Sequence, residues 1–260
     1  MQRKTERRQP TYMDKAYEAQ YHLSEESNWW FVARRDFILR WMRQEGITNN
    51  SRILDVGSGG GALALFLHAA GYPNVTCIDF SEDAIAVCKA RGISEAFVHD
   101  AQRFTFEEPF DLLIASDCLE HLENDRLALQ TWFKNLKPGG RALILVPAHA
   151  SLWSQHDVIN HHYRRYSLAE MQEKVSTAGY QVNRTAYWNA LLFLPLRIMS
   201  LLRRKPAENA PVPENAPAIF ALPDWVNSLL IGWLKLENKW IVRRNAPCGV
   251  SVWTSARKPD

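Results

Sequence analysis

From Arg52 onward, short apolar runs alternate with segments whose apolar residues recur at helical spacing. The runs predict strands at residues 52–56, 75–80, 96–99, 110–116 and 141–147. The intervening and following segments predict helices at residues 62–70, 83–91, 126–136 and 167–178. Such alternation is typical of βαβ units, in which helices cover both faces of a parallel sheet. We therefore predict an α/β fold.

Two parts of the chain lie outside this alternation. Residues 1–50 are helix-like and predict an N-terminal helical segment, which we expect to act as a cap. Residues 249–258 alternate between apolar and polar side chains, as a strand does. The predicted core therefore consists of residues 51–187 plus 247–260, and it is interrupted by a helical insertion at residues 188–246.

Charge and cysteine content restrict the class of protein. The formal net charge of +3 is supplied entirely by residues 1–10, so the remainder of the chain is neutral overall. A nucleic-acid-binding domain would carry a basic face, so we expect no nucleic acid partner. The basic tip is compatible with weak contact to an anionic membrane, although such termini are more often simply solvated. The four cysteines form no C-x-x-C pair, which favours a reducing, cytoplasmic location.

A glycine-rich loop, residues 55–61 (DVGSGGG), joins the first predicted strand to a helix. Glycines there let a ligand approach the backbone, and the helix N-terminus offers unpaired N–H groups. Asp79 closes the second strand, where a carboxylate can meet ribose hydroxyls, and Asp100 follows the third, where it can meet an adenine amino group. Both acids could instead cap helices. The loop alone also fits the dinucleotide fingerprint, because Ala62 stands at its last position.

This D-x-G-x-G-x-G loop with its two acids resembles the class I S-adenosylmethionine (SAM) dependent methyltransferases, over about residues 25–187 and the last strand. The resemblance implies a Rossmann-like sheet of seven strands in the order 3-2-1-4-5-7-6, with strand 7 antiparallel. It also implies SAM as cofactor and S-adenosylhomocysteine as product. The cofactor-binding residues that it implies are Arg34, Asp55, Gly57, Ser58, Gly59, Gly61, Asp79, Phe80, Asp100, Ala101 and Asp117.

The N-terminal segment resembles a subgroup of these enzymes. Residues 26–31 (ESNWWF) and 34–38 (RRDFI) are similar to the E-x-x-W-W-F…R-R-x-x-I stretch of bacterial methyltransferases of glycan and lipid-linked sugar pathways. The second stretch also resembles the R-L-x-x-I of ubiquinone-pathway O-methyltransferases. By this similarity Arg34 would pair with the SAM carboxylate, a bidentate contact that suits a guanidinium. The alternative is an exposed helical arginine. Trp30 would serve as a wall of the substrate site or as packing.

The segment after the fourth strand, residues 116–122 (SDCLEHL), stands where a methyl acceptor would bind. It lacks the D/N-P-P-Y/F/W motif of nucleic acid amino-methyltransferases, which disfavours base methylation. His121 resembles the Glu-His pair of small-molecule enzymes, and its imidazole could take a proton from a hydroxyl. Alternatively, His121 is structural. Cys118 has no adjacent base and is expected to be structural.

The segment after the fifth strand matches the subgroup's D-x-x-x-G-H-x-R-R-Y pattern, except that His161 stands in place of the glycine. His162 is a second candidate base. Because arginine pairs well with phosphate and carboxylate, this loop suits an anionic or polyhydroxylated acceptor, although it could also hold itself together. The predicted substrate-binding residues are Trp30, His156, Arg164, Arg165 and Tyr166. No metal site is predicted.

The insertion contains two apolar helix candidates, residues 189–204 and 223–242, around a loop-like stretch at 205–218 that is rich in Pro, Ala and Asn. Its most apolar run is too short to span a membrane and contains Pro195 and Arg197. Basic clusters at residues 203–205 and 243–244 stand at the helix ends. One hypothesis is a cap that admits a lipid-bearing substrate at the membrane surface. The alternative is that both helices pack on the core.

The sequence as a whole predicts a SAM-dependent methyltransferase. We expect O-methylation of a small-molecule, glycan-related or lipid-linked acceptor, in the cytoplasm or peripherally at the inner face of the membrane. One alternative is a catalytically silent SAM-fold binding or scaffold protein, since a fold does not fix a function. Another is an NAD-dependent oxidoreductase, on the local glycine pattern. The sequence predicts neither the oligomeric state nor the identity of the acceptor.

Overall fold

The computed structural model describes residues 24–202 and 222–260. The basic tip at residues 1–10, the basic cluster at 203–205 and the predicted loop at 205–218 lie outside the described residues. A seven-stranded sheet forms the centre of the protein. Its strands are β1 Ile53–Val56, β2 Val75–Asp79, β3 Ala96–Val98, β4 Phe110–Ser116, β5 Leu136–Pro147, β6 Gln181–Trp188 and β7 Ser251–Arg257.

The sheet has the order β3-β2-β1-β4-β5-β7-β6, which confirms the predicted topology. Strands β1 to β5 pair in parallel, whereas β7 runs antiparallel to both β5 and β6. Because parallel strands point the same way, the segments that follow β1, β2, β3, β4 and β5 all emerge at one edge of the sheet. The glycine loop and the predicted acceptor segments therefore lie at the same edge.

Helices cover both faces of the sheet. They are α1 Trp29–Gln44, α2 Ala62–Ala69, α3 Glu82–Ala90, α4 Asp125–Lys134, α5 Gln155–Ile159, α6 Leu168–Thr177, α7 Phe193–Leu202 and α8 Asp224–Ile241. One apolar core joins the sheet to α1, α2, α3 and α8, and a second joins the other face to α4 and α6. Because helices cover both faces of the sheet, its central strands need no polar face. In β1, for example, every residue is buried.

Most predicted elements agree with the structure to within two residues, but helix α7 begins four residues later than predicted and two strands differ. Strand β5 begins at Leu136, and its pairing with β4 shifts register between Phe110 and Leu112. The Lys-Pro-Gly-Gly segment at residues 137–140, a composition typical of turns, is therefore an irregularity inside β5. Strand β6 has no clear sequence signal, since it is an edge strand in which exposed and half-buried positions predominate.

Helix α8 lies along α1 and runs in the same direction. Near its start the Asn227 side chain accepts a hydrogen bond from Trp29 N–H (2.8 Å), and at its end Gln44 donates to the backbone of Val242 (2.9 Å). Leu234, Asn238 and Ile241 form its buried face. Among the described helices, none is both long and apolar enough to cross a membrane.

Asn238 joins three elements in the space between these helices and the sheet. Its side chain is fully buried; it accepts a hydrogen bond from the Trp188 indole (2.8 Å) and donates to Ala33 O (2.8 Å) and Asp36 Oδ2 (2.9 Å). Helix α8 therefore positions α1 through polar contacts as well as through apolar packing.

Asn238→Ala is expected to lower the free energy of unfolding by about 1–3 kcal/mol, because the buried Trp188 indole N–H loses its acceptor. Urea unfolding measures this change. Lys239→Ala is the matched control: Lys239 is the next residue and is exposed, so its loss should cost less than about 0.5 kcal/mol. Equal changes in the two variants would show that the Asn238 contacts do not stabilise the α1–α8 packing.

Candidate functional site

The glycine loop has a backbone that only glycine adopts easily. Gly57, Gly59 and Gly61 have φ angles of +71°, +52° and +79°. A Cβ on Gly57 would lie 2.8 Å from Cys118 Sγ, and one on Gly61 would overlap Ile93. Cys118 is buried behind Gly57, as expected for a structural residue. The loop thus presents bare backbone at the edge of the sheet.

Asp79 fixes the loop to the end of β2. Its carboxylate accepts hydrogen bonds from the N–H groups of Gly59 and Ser81, each at 3.0 Å. The neighbouring Phe80 side chain is 48% exposed, so part of an apolar ring faces solvent beside the carboxylate. An acid and an exposed ring at this point provide a polar and an apolar contact for the same ligand.

Asp100 and Ala101 follow β3 at the same edge. Asp100 is exposed and accepts a hydrogen bond from Gln102 N–H (2.8 Å). The Ala101 carbonyl accepts one from the Trp132 indole (2.8 Å). These contacts fix the turn after β3 and leave the Asp100 carboxylate at the surface.

Asp55 and Ser58 lie buried at the base of the loop. Asp55 Oδ2 has no hydrogen-bond partner among the described residues. Burial, followed by the nearby Cys88, Glu25 and Asp79, raises the pKa of the Asp55 carboxyl well above its usual range. A buried polar atom without a protein partner is uncommon and is a frequent feature of a ligand site.

Arg34 is buried, so the alternative of an exposed helical arginine is wrong. Its Nη1 forms an ion pair with Asp117 Oδ1 (3.0 Å), and its Nη2 donates to Ser251 Oγ (3.1 Å). The guanidinium carbon lies 4.6 Å from the ring centroid of Trp30 and 4.5 Å from that of Trp188. Trp30 also donates from its indole to Asp117 Oδ2 (3.2 Å). The carboxylate that Arg34 contacts in this structure is therefore that of Asp117.

The loop after α5 is held by Asp157, a fully buried carboxylate. It accepts two hydrogen bonds from Arg165 (2.7 and 2.9 Å) and lies 2.9 Å from His162 Nδ1. Burial alone would raise the pKa of Asp157, but His162 and Arg165 together hold it well below its usual range. His161 has φ +54°, so the chain keeps the left-handed turn that the glycine of the subgroup pattern favours.

Arg164 and Tyr166 contact the protein rather than open space. Arg164 pairs with Asp125 (2.9 Å) and donates to Glu123 O (2.7 Å), and the Tyr166 hydroxyl is 3.1 Å from Asp125 Oδ2. Together with the Arg165–Asp157 contacts, these bonds tie the loop to the start of α4. They correspond to the alternative in which the loop holds itself together.

Three side chains from two segments meet at the same edge of the sheet: Glu120 and His121 on the 3-10 turn Leu119–His121, and His162 on the loop. The rings of His121 and His162 are perpendicular, with centroids 4.6 Å apart, and His156 lies 6.1 Å from His162. Burial, then the charge of His162, lowers the pKa of His121 to about 3, and the same two causes lower that of His156 to about 4. Both imidazoles are therefore neutral near pH 7.

Glu120 and Asp157 are the site residues that the sequence did not predict as functional. The Glu120 side chain is 1% exposed, and neither oxygen bonds another described residue. Burial, followed by the charge of Asp117, raises the pKa of Glu120 well above its usual range. The only sequence signal for Glu120 was its place in the Glu-His pair, and the only one for Asp157 was the first position of the D-x-x-x-G-H pattern. Neither signal indicates burial without a partner.

The protein also has a cavity that lies away from this site. It has a volume of about 270 Å³ and is lined by residues 45–47, 51, 111 and 138–141. These residues precede or begin β1, β4 and β5, so the cavity lies at the edge of the sheet opposite the glycine loop. Ligands of open α/β sheets bind at the carboxyl ends of the strands.

Comparison with known proteins agrees with this geometry. Residues 54–144 match a methyltransferase domain family. The ubiquinone biosynthesis O-methyltransferase of Hydrogenovibrio crunogenus is 30% identical over 138 residues, which are 50% of this chain and 52% of that protein. The Rickettsia conorii enzyme of the same name is 35% identical over 97 residues, 35% of this chain and 33% of that protein. The chain therefore spans about half or less of the length of these curated relatives.

Solved structures share the fold. A chain from the complex between the Haloferax volcanii Trm112 methyltransferase activator and a methyltransferase superposes with a TM-score of 0.62, at 18% identity over 94% of this chain and 95% of that one. The phosphoethanolamine N-methyltransferase 2 of Haemonchus contortus, solved with SAM, gives 0.56 at 21% identity over 85% of this chain and 52% of that one. The protein thus has the Rossmann-like methyltransferase fold, and the part of it at residues 54–144 is similar to a methyltransferase domain family.

The residues of the loop fit the cofactor of this family. The bare backbone of Gly57, Gly59 and Gly61, the Asp79 carboxylate and the exposed Phe80 ring together form what we term the glycine cradle. A Cβ at Gly57 or Gly61 would meet Cys118 or Ile93 behind the loop and displace it. SAM, when bound, supplies a methyl group on a sulfonium. These residues would hold the donor at the carboxyl ends of β1, β2 and β3, beside the segment that follows β4.

Gly57→Ala is expected to lower SAM affinity by at least about tenfold, because the new Cβ meets Cys118 Sγ at 2.8 Å and displaces the loop. Gly92→Ala is the matched control: Gly92 also has a positive φ, +87°, but a Cβ there meets nothing within 4 Å. Calorimetric titration with SAM measures both variants, and urea unfolding shows how much stability each has lost. Equal affinity in the two variants would mean that the loop does not hold the cofactor.

Proposed function

We propose that the protein transfers the methyl group of SAM to an oxygen atom of its acceptor. The observation that carries the proposal is the proximity of two features at one sheet edge: the glycine cradle with Asp79, and the cluster of Glu120, His121 and His162. Methyl transfer from a sulfonium is an in-line displacement, so the protein mainly aligns donor and acceptor. Oxygen as the methylated atom is supported by the O-methyltransferases among the relatives.

In this proposal the donor side is held by the residues that follow β1, β2 and β3. The backbone of Gly57, Gly59 and Gly61 lies against the amino acid part of SAM. Asp79 receives the ribose hydroxyls, and Asp100 with Ala101 receives the adenine. Arg34 and Trp30 fix the Asp117 carboxylate at the methionine end. A contact of Arg34 with the SAM carboxylate would exchange for, or add to, its pair with Asp117.

The acceptor side is formed by the segments that follow β4 and α5. We propose that the reacting hydroxyl loses its proton at the cluster of Glu120, His121 and His162, where the Asp157 contact orients the His162 ring. Trp30 and His156 border this space. Arg164, Arg165 and Tyr166 keep the loop in place through Asp125 and Asp157.

A hydrophobic acceptor is supported by what we term the apolar surface, a set of large side chains on α7 and α8 that are each at least 37% exposed. These are Leu194, Leu196, Ile198, Met199, Leu201, Leu202, Trp225, Leu229, Trp233, Leu236 and Trp240. The five residues on α8 recur every three or four positions and form one stripe, opposite the face that packs on α1. Exposed apolar patches of this kind mark binding surfaces.

We further propose that the apolar surface rests on an anionic membrane. Exposed cations on the same helix and just beyond it, Lys235, Lys239, Arg243 and Arg244, stand where lipid headgroups would lie. At the start of α7, Phe193 lies 5.1 Å from the ring of His149, in the segment after β5. The surface therefore adjoins the acceptor side, and a lipid-linked acceptor could enter from the bilayer.

The transfer itself is tested with tritiated SAM and extracted bacterial lipid and glycan fractions. The wild-type protein should label at least one fraction, and Asp79→Ala should abolish labelling by removing the contact to ribose. His162→Ala should lower turnover by about 10²- to 10⁴-fold while SAM affinity stays unchanged. His68→Ala is the control, because His68 lies in the last turn of α2 and does not belong to the cluster of Glu120, His121 and His162. Absence of label in every fraction, with SAM binding intact, would contradict the proposal.

Membrane contact is tested by co-sedimentation with vesicles that contain anionic phospholipid. The wild-type protein should sediment with them, and the double variant Trp233→Ser, Trp240→Ser should remain largely in solution. Val98→Ser is the control. It removes another exposed apolar side chain (46% exposed) from β3, the outermost strand on the side of the sheet remote from β6, and should behave as wild type. A wild-type protein that does not bind the vesicles would exclude the membrane part and leave the methyl transfer untouched.

A further inference from the structure

Two buried polar atoms lie without a partner where β5 and β6 end and β7 begins. They are His149 Nε2, in the segment after β5, and Asn189 Nδ2, in the turn between β6 and α7; neither atom bonds any residue in the described part of the chain. Strands β5 and β6 both pair antiparallel with β7, so they end at the same edge of the sheet, which also carries the glycine loop. Because buried polar atoms are rarely left unpaired, these two atoms indicate a ligand site.

The backbone just before β7 brings these two residues into one region. Val250 N–H donates to Asn189 O (3.2 Å), and Val250 O accepts a hydrogen bond from the N–H of Ala148 (2.9 Å), the residue before His149. The ring of His149 also lies 5.1 Å from the ring of Phe193, which stands one helical turn after Asn189. Both side chains therefore belong to the same small part of the sheet edge.

The His149 ring offers a hydrogen-bond acceptor. Burial lowers the pKa of His149, and the charges of Arg197 and Arg165 lower it further, although the Gly249 backbone raises it. The ring is therefore neutral near pH 7. Since the ring interacts with the Gly249 backbone and Nε2 has no partner, Nδ1 is the nitrogen that carries the proton. A free lone pair then remains on Nε2.

Neighbouring rings fix the orientation of His149. Tyr187 stacks on it, with centroids 4.9 Å and planes 27° apart, and Phe193 lies against it at 51°. The backbone of His149 has φ +57° and ψ +105°, a conformation that a non-glycine residue keeps only where its surroundings enforce it. The lone pair of Nε2 lies in the plane of the ring. Stacking on the ring faces therefore does not occupy the direction of its hydrogen bond.

Asn189 offers the complementary donor. The residue is fully buried with φ +61°, and its Oδ1 accepts a hydrogen bond from Leu192 N–H (3.4 Å), so the amide nitrogen is the group left over. A hydroxyl group both donates and accepts, and hydroxyls can therefore satisfy His149 Nε2 and Asn189 Nδ2 together. An ammonium group would be repelled by Arg197 and Arg165, and an ionised phosphate or carboxylate has no proton to give to Nε2.

We propose that His149 and Asn189 bind hydroxyl groups at a sugar-like polar end of the methyl acceptor, whose apolar chain lies on the apolar surface. Phe193, which contacts His149, is the first residue of α7, and α7 carries part of that surface. The inference rests on the proposed function, since that function defines the methyl acceptor. His149 determines specificity in this arrangement, and the proton of the reacting hydroxyl still leaves at the histidine cluster described above.

The same two residues adjoin the donor side of the site. Trp188, directly before Asn189, lies against the guanidinium of Arg34, with 4.5 Å between the guanidinium carbon and the ring centroid. Arg34 also donates to the Ser251 hydroxyl (3.1 Å), at the first residue of β7. A polar end that is bound at His149 and Asn189 therefore lies beside the contacts that fix the methionine end of SAM in the proposed function.

The test titrates the full chain, by calorimetry, with n-octyl β-D-glucoside below its critical micelle concentration and with the same compound after all its sugar hydroxyls have been methylated. The two probes share the octyl chain and the sugar ring, and only the first can donate hydrogen bonds. The wild-type protein should bind the hydroxylated probe at least about tenfold more tightly, because a hydrogen bond to an otherwise unpaired buried group contributes about that factor. Nitrogen NMR should show His149 with its proton on Nδ1, and the Nε2 signal should shift on binding.

Three variants separate the role of the nitrogen from that of the ring. His149→Phe keeps an aromatic ring beside Tyr187 and Phe193 and removes the nitrogen, so it should bind both probes equally. His149→Gln brings an amide group near the position of Nε2 and should recover part of the preference. His68→Phe is the matched control: it makes the same change at another histidine whose Nε2 is buried without a described partner, in the last turn of α2, and it should behave as wild type. Unchanged SAM affinity in all three variants shows that they are folded.

The outcomes for this site and for the proposed function differ. A wild-type protein without preference for the hydroxylated probe, or a preference that His149→Phe retains, would overturn the inference. With a lipid or glycan fraction that the protein methylates, His149→Phe should raise KM about tenfold and leave kcat within about threefold of wild type. A preference that depends on His149, without methyl transfer to any fraction, would contradict the proposed function alone. Methyl transfer without that preference would contradict this inference alone.

Discussion

The ion pair between Arg34 and Asp117 determines how the rest of the site is arranged. A guanidinium that lies between the rings of Trp30 and Trp188 is out of water and needs a counter-charge, which Asp117 provides at 3.0 Å. Removing one partner of a buried pair typically costs about 3–5 kcal/mol, because the other charge remains unpaired. Asp117 also has φ +54°, a conformation that non-glycine residues seldom adopt. The turn that carries Glu120 and His121 begins directly after this constrained residue.

Regular elements were predictable where the sequence pattern depends on local burial alone. Strands β1, β2 and β4 lie in the middle of the sheet and consist mainly of buried apolar residues, so their positions follow from composition. The edge strand β6 alternates weakly, and its pairing with β7 depends on residues far along the chain. The strand order itself came from family resemblance, because periodicity shows that strands exist and not how they are ordered.

The site was predictable only on its cofactor side. The glycines and Asp79 lie within one βαβ unit, so their spacing indicates their proximity. Arg34 and Asp117 are separated by 83 residues, and neither segment contains a sequence pattern that predicts their contact. The same holds for Glu120 and His162, which meet because tertiary contacts join the segments after β4 and α5, among them the hydrogen bond from Tyr163 N–H to Glu120 O. Burial without a partner, the property that distinguishes Glu120, arises from tertiary packing.

The position of β7 between β5 and β6 has a consequence for folding kinetics. During synthesis β6 leaves the ribosome before β7, and among the strands of the sheet β7 is its one neighbour. Strand β6 and helix α1 can therefore complete their packing only after later segments have been synthesised: β7 for β6, and α8 for α1. Contacts this distant in sequence slow folding and prolong the exposure of apolar surface. A truncated nascent chain should thus retain an open sheet edge, a substrate for chaperones until the last strand inserts.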